Sequence, residues 1–274
     1  MNWNKAKTIL IVAFILLNTF LFYEVHEANN ESYEGLSDEF INHVERKLLE
    51  KNILIETEVN KEIYKKPLLE VEYDLVTEKD VVKYIGKDYE EVLENALFTN
   101  EKGSYVRIEN NKKLIYNIRD VNKNLEITKE KAKKLVDSFV ENQRINLEDY
   151  QLDIILKKSG IYEVVYKRNY QGSKLENDYY RFVVDNLGVA GFETQKISKI
   201  EPKEGLITVT SAYEALLRLN NKNSEEKIII KRIELCYYTD ENIEGWENIV
   251  RANMDPTWKI VSESGNIKYL IEVE

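Results

Sequence analysis

Residues 128–140 read TKEKAKKLVDSFV. Ala132, Leu135, Val136, Phe139 and Val140 recur there at the spacing of one helical face. Thr128 offers its hydroxyl to the start of that helix. Three strand candidates follow, at 152–156, 161–170 and 179–184. Tyr162, Val164 and Tyr166 alternate with Glu163, Val165 and Lys167, the period of a strand with two unlike faces. Asp185-Asn186-Leu187-Gly188 makes a turn before a further extended stretch to Glu193. The same order recurs downstream. Ser211 and Glu214 form an S-x-x-E capping box, and a helix runs through Tyr213, Leu216, Leu217 and Leu219. Strand candidates then span 227–238, 257–262 and 267–273, with Gly265-Asn266 closing the last hairpin. A helix followed by an antiparallel meander, twice over, predicts an α+β fold with helices on one face of antiparallel sheets. The two units, 127–200 and 205–274, make up a C-terminal domain over 127–274.

Upstream, a separate α+β domain is expected over 36–126. Ser37 caps a helix with Asp38 and Glu39 in its first turn. Phe40, Ile41, Val44, Leu48 and Leu49 fall on one face of it. Strands are expected at 53–55 and 69–75, with Pro67 favouring a loop or edge between them. Thr77 and Asp80 begin a second helix through Val81, Val82, Tyr84 and Ile85. Residues 89–98 read as another helical piece. Lys102-Gly103 and Asn110-Asn111 are turn signals around Tyr105, Arg107 and Ile108, and 114–118 completes a β-hairpin.

Further towards the N-terminus, Ile9 to Phe22 is an apolar run. Lys5 and Lys7 precede it, and Glu24, Glu27 and Glu31 follow. Basic flanks stay on the cytoplasmic side. The expected order is a cytoplasmic stub (1–7), a transmembrane helix (8–23), a juxtamembrane linker (24–35) and an extracellular bulk, in a single-pass protein of the cell membrane. The stretch from Lys5 to Tyr23 reaches about 28 Å as a helix, close to the roughly 30 Å of a hydrocarbon core. Trp3 and Tyr23 suit the two interfaces. A cleaved leader would need a small-x-small site, and residues 23–28 offer none. On this helix Thr8, Val12, Ile15 and Thr19 share one side, with Asn18 at its edge. Such a stripe can bond a neighbouring helix at about 0.6–2 kcal/mol per contact, or its threonines can bond their own backbone with Asn18 simply tolerated.

The chain has 39 basic and 49 acidic residues and a net charge of −10. The part after the apolar run is more negative still, because Lys5 and Lys7 lie before it. This balance argues against a nucleic-acid partner. Cys236 is the single cysteine, so no disulfide forms within the chain. Its setting, Ile233 to Tyr238, predicts a thiol buried in a strand. Of two histidines, His26 lies beside the apolar run and His43 on the first helix, and neither belongs to a metal-ligand pattern. There is no nucleophile elbow, P-loop or dinucleotide fingerprint. The acidic runs at 88–91 and 244–247 read as solvated faces. No catalytic, cofactor-binding or metal-ligating residue is therefore expected, nor any cofactor. Tandem helix-plus-meander units also suit an anchored or secreted binding module that inhibits an exported enzyme such as a protease.

The opening Met1-Asn2-Trp3-Asn4-Lys5-Ala6-Lys7-Thr8-Ile9, with Phe14 to Asn18 and Phe20 to Tyr23 after it, resembles the YycI family. Pro256-Thr257-Trp258-Lys259-Ile260 and the Tyr269 hairpin resemble the family's C-terminal strand pair. The meander units are similar to PepSY-type modules. The resemblance implies a non-enzymatic, single-pass regulator of the essential cell-wall two-component sensor histidine kinase of low-GC Gram-positive bacteria. It implies a complex in the lipid bilayer with that kinase and a YycH-like single-pass protein, acting through membrane helices and exported domains on wall homeostasis. No catalytic residue comes with it.

Overall fold

The computed structural model describes residues 7, 14, 17–19, 36–123, 127–220 and 226–270. They form a mixed α+β fold dominated by sheet, with few helices. The helices are α1 (Asp38–Glu50), α2 (Glu78–Ile85), α3 (Lys129–Asn142) and α4 (Ala212–Leu217). Each begins at an expected cap. Ser37 Oγ accepts from Phe40 N and Thr128 Oγ1 from Lys131 N. Thr77 with Asp80, and Ser211 with Glu214, close capping boxes. These side chains occupy N–H groups that a first helical turn otherwise leaves bare.

The N-terminal strands are β1 (Ile53–Ile55), β2 (Tyr64–Lys66), β3 (Leu69–Tyr73), β4 (Tyr89–Leu93), β5 (Leu97–Asn100), β6 (Tyr105–Glu109) and β7 (Lys113–Asn117). The first meander supplies β8 (Tyr150–Lys158), β9 (Ile161–Tyr170), β10 (Ser173–Asp185) and β11 (Gly188–Gln195), and β12 (Ile197–Pro202) follows it. After β13 (Ile207–Val209) come β14 (Ile228–Tyr238), β15 (Arg251–Ser262) and β16 (Ile267–Leu270). Fourteen strands join one sheet, whose longest path runs β12-β3-β15-β14-β10-β11-β7-β6-β5-β4. Strands from the first 126 residues thus extend both meanders: β7 pairs β11, β3 pairs β15 and β1 pairs β14. The sheet is not wholly antiparallel, because β14 runs parallel to both β1 and β10.

Residues 89–98 are not helical. They form the β4–β5 hairpin, in which Asn95 takes a left-handed φ of 53° and donates its N–H to Glu91 Oε1 at 2.6 Å. Glu, Leu and Ala are good helix formers, but cross-strand pairing of β5 with β6 and burial of Phe98 outweigh that preference.

The helices cover two cores. α2 and α3 place Val81, Ile85, Ala132 and Val136 on Val164, Phe182 and Phe192. α1 and α4 place Ile41, Val44, Leu48 and Leu216 on Ile230, Trp258 and Ile260. A third cluster, with Leu69, Val71, Leu175 and Met254, lies where β3 meets β15 and the start of β10. Lys112 is buried beside it, donating to Trp246 O at 2.5 Å and Ile249 O at 2.7 Å over the Trp246 ring. No helix among the described residues is long and apolar enough to cross a membrane. The expected span over 8–23 lies mostly outside the described residues.

Candidate functional site

β10 is a strand with an interruption. Leu175 pairs with Arg168 and the next paired residue, Tyr179, with Lys167, so Glu176, Asn177 and Asp178 have no counterparts on β9. All three are buried. A bulge of this kind redirects side chains and tightens the local twist. Here it sends three polar groups into three separate networks, each of which binds β10 to a different part of the fold.

Glu176 enters an ionic cluster. Its Oε1 accepts from Lys259 Nζ at 2.9 Å, and its Oε2 accepts from Tyr269 hydroxyl at 2.6 Å. Lys167 Nζ donates to the Glu176 carbonyl and lies 3.4 Å from Oε2. Lys259 Nζ also donates to Asp153 Oδ2 at 2.6 Å and lies 3.4 Å from Glu234 Oε1. Asp153 Oδ1 in turn receives Lys174 at 2.7 Å and Arg232 at 3.0 Å. Lys259, Asp153 and Glu176 are each at least 93% buried. Burial alone would discharge such groups, and their mutual attraction reverses that. Burial raises Asp153 and Glu176, but the lysines beside them hold both below the usual carboxylate range. Burial lowers Lys259, but Glu176 and Asp153 hold it up.

Asn177 faces the loop after β14. Its Nδ2 donates to Thr239 O at 3.0 Å and Glu241 Oε1 at 2.6 Å, and its Oδ1 accepts from Thr239 N at 2.9 Å. Asp178 accepts from Tyr150 hydroxyl at 2.6 Å and Ile197 N at 3.2 Å, with Arg168 at 3.3 Å. Burial dominates at Asp178 and raises its carboxyl despite these donors.

The cluster fixes structure more than it offers chemistry. Asp153, Glu176 and Glu234 are close enough to share one cation, and the Lys259 ammonium is that cation. A metal ion would have to displace it together with the hydrogen bonds it makes. Cys236 is buried, its thiol donates to Thr257 O at 3.2 Å, and burial pushes it well above the ordinary thiol range. That is the state of a structural rather than a reactive cysteine. His43 is exposed on α1.

Of the stripe expected on the N-terminal helix, Thr8, Val12 and Ile15 lie outside the described residues. Asn18 and Thr19 are helical. Asn18 Nδ2 donates to Phe14 O at 2.9 Å, one turn back, so its side chain bonds its own backbone.

The ionic cluster was not singled out from sequence, because its members lie far apart along the chain. A signal was present. Lys259 stands between Trp258 and Ile260, and Asp153 between Leu152 and Ile154, so both interrupt apolar runs. A charge in such a run needs a buried partner.

The family model described as "YycI protein" matches residues 34–272. A comparison with the curated proteins finds no match. Among solved structures, YycH from Bacillus subtilis is similar at a TM-score of 0.52 and 10% identity, over 75% of this chain and 53% of that one. The chain thus spans about half the length of that YycH, and the likeness is one of fold. An uncharacterized protein from Eubacterium rectale gives a TM-score of 0.47 at 11% identity, over 85% of this chain and 93% of its own. The YpeB C-terminal domain of Bacillus megaterium gives 0.35 at 13% identity, over 87% and 99%.

Proposed function

The chain belongs to the YycI family, and from that membership we propose that it is a non-enzymatic, membrane-anchored regulator of a cell-wall sensor histidine kinase, acting with a YycH-like protein. The family match over residues 34–272 carries this reading. The YycH-like fold supports it, as does the pairing of the buried carboxylates with lysine in the ionic cluster. The apolar run at 9–22 supports the anchor, with basic residues before it and acidic ones after.

The mechanism is a population shift. A partner biases a two-state kinase only by binding its two states unequally. A difference of about 1.4 kcal/mol changes the ratio tenfold, which membrane-helix contacts of the expected strength supply. The sheet-dominated body then acts as a rigid arm on one signalling state.

The test compares a deletion strain complemented with the full chain against one complemented with residues 36–274 fused to a cleavable export leader. Expression of kinase-controlled wall genes is the readout. Restoration by the full chain alone is expected. Full restoration by the untethered body, or no change on deletion, would overturn the reading.

A further inference from the structure

Strands β7, β9, β10 and β11 have two sides, and the helices cover one of them. Tyr180, Phe182, Val164 and Phe192 face α2 and α3. Alternate residues face the other way, and these include Arg181, Val183, Lys167, Glu193 and Ile115. Two cavities open on this second side, and no helical residue lines either one. A polar one of about 300 Å³ lies between Lys158, Glu163, Lys167, Glu176 and Tyr269. An apolar one of about 250 Å³ is walled by Ile115, Val121, Val183, Ala190 and Gly191. Arg181 lines both.

The Arg181 guanidinium is under-used. It has five N–H donors. Its one ion-pair partner among the described residues is Glu193, with Nη1 3.5 Å from Oε1. That carboxylate also accepts from the Tyr179 hydroxyl and lies 3.9 Å from Lys113. The guanidinium sits over the Tyr179 ring at 5.3 Å, and the side chain remains 39% exposed. The ion pairs on and beneath this side join seven Lys and Arg side chains to five carboxylates. That is a positive excess in a chain of net charge −10. A planar fork beside an apolar hollow matches a carboxylate attached to a hydrocarbon group.

We propose that Arg181 anchors a binding site for a small carboxylate bearing an apolar group. The carboxylate takes the free donors of the guanidinium, and the apolar part fills the hollow walled by Ile115, Val121 and Val183. The ligand class covers free short-chain acids and the carboxyl ends of short peptides. The site does not depend on the kinase, because it is read by binding to this chain alone.

The test uses the full chain in lipid nanodiscs and calorimetric titration with two probes, hexanoate and N-acetyl-leucine, against empty nanodiscs. At least one probe is expected to bind, and N-acetyl-leucinamide, which lacks the carboxylate, is not. Binding of hexanoate alone assigns the site to free acids, and binding of N-acetyl-leucine alone to peptide ends. Arg181→Gln should weaken binding at least tenfold with an unchanged thermal midpoint. If that variant does not fold, Arg181→Lys should still weaken binding severalfold by losing the fork. Saturable binding of neither acid, equal binding of the amide, or undiminished affinity in a folded Arg181 variant would overturn the proposal.

Discussion

Lys259 neutralises two buried carboxylates at once. Removing its ammonium leaves Asp153 and Glu176 buried beside one another, short of a counter-charge. Breaking a buried pair from one side costs about 3–5 kcal/mol. Lys259→Met should lower the urea midpoint accordingly with an unchanged slope, measured by tyrosine and tryptophan fluorescence. Asp185 makes a second residue-scale case. Burial would raise its carboxyl, but bonds from Arg119 at 2.6 Å and from Asn122 N and Leu187 N outweigh that and hold it at about 2. A carboxyl depressed on folding adds stability above its unfolded pKa of roughly 4, lost as pH falls through the folded value. Arg119→Gln should therefore move acid unfolding to higher pH while changing stability least below about pH 2, as an acid titration followed by circular dichroism would record. Their ion pairing was not legible in the sequence, because a lysine or aspartate is exposed far more often than buried and the charged partners of both lie tens of residues away.

At the scale of elements, most of the architecture could be read beforehand, and for local reasons. Thr128, Ser211, Thr77 and Ser37 mark helix starts through bonds that span three residues, and such bonds are written in consecutive letters. The two meanders follow from period-two alternation and turn residues. The β4–β5 hairpin escaped because Glu, Leu and Ala favour a helix there, and pairing with β6 across the Lys102-Gly103 turn overrides that preference. The parallel contacts of β14 escaped for a different reason, since register between remote strands leaves no local trace. Close approach also hides from sequence. A Cβ added at Gly191 on β11 would overlap the Tyr116 carbonyl oxygen on β7 and come within 3.2 Å of Asn117 Cα. Both obstacles are backbone and cannot swing aside. Gly191→Ala should cost about 1–3 kcal/mol and lower the thermal midpoint, whereas alanine at an exposed strand position should not.

For the molecule as a whole, two separate stretches point to one family. The resemblance rests chiefly on the first 23 residues, and the family match lies over 34–272. The polar stripe proposed on the N-terminal helix belongs to this scale, because any contact it made would lie between molecules. Asn18 already bonds Phe14 O, so engaging a neighbour means trading that bond for an intermolecular one. Asn18→Leu with Thr19→Leu should reduce co-purification of a YycH-like protein or the kinase from membranes several-fold, and equal recovery would exclude the stripe as a contact. The candidate site was hardest to foresee, because it depends on where β10 breaks its pairing.

That break has a thermodynamic corollary. β10 bonds to β9 on both sides of the break, to β11 along its second half and to β14 along its first, so neither meander can come apart without disturbing the other. The body should then melt in one step instead of two. The amides of residues 179–184 should be among the last to trade hydrogen for deuterium, exchanging only when every strand lets go.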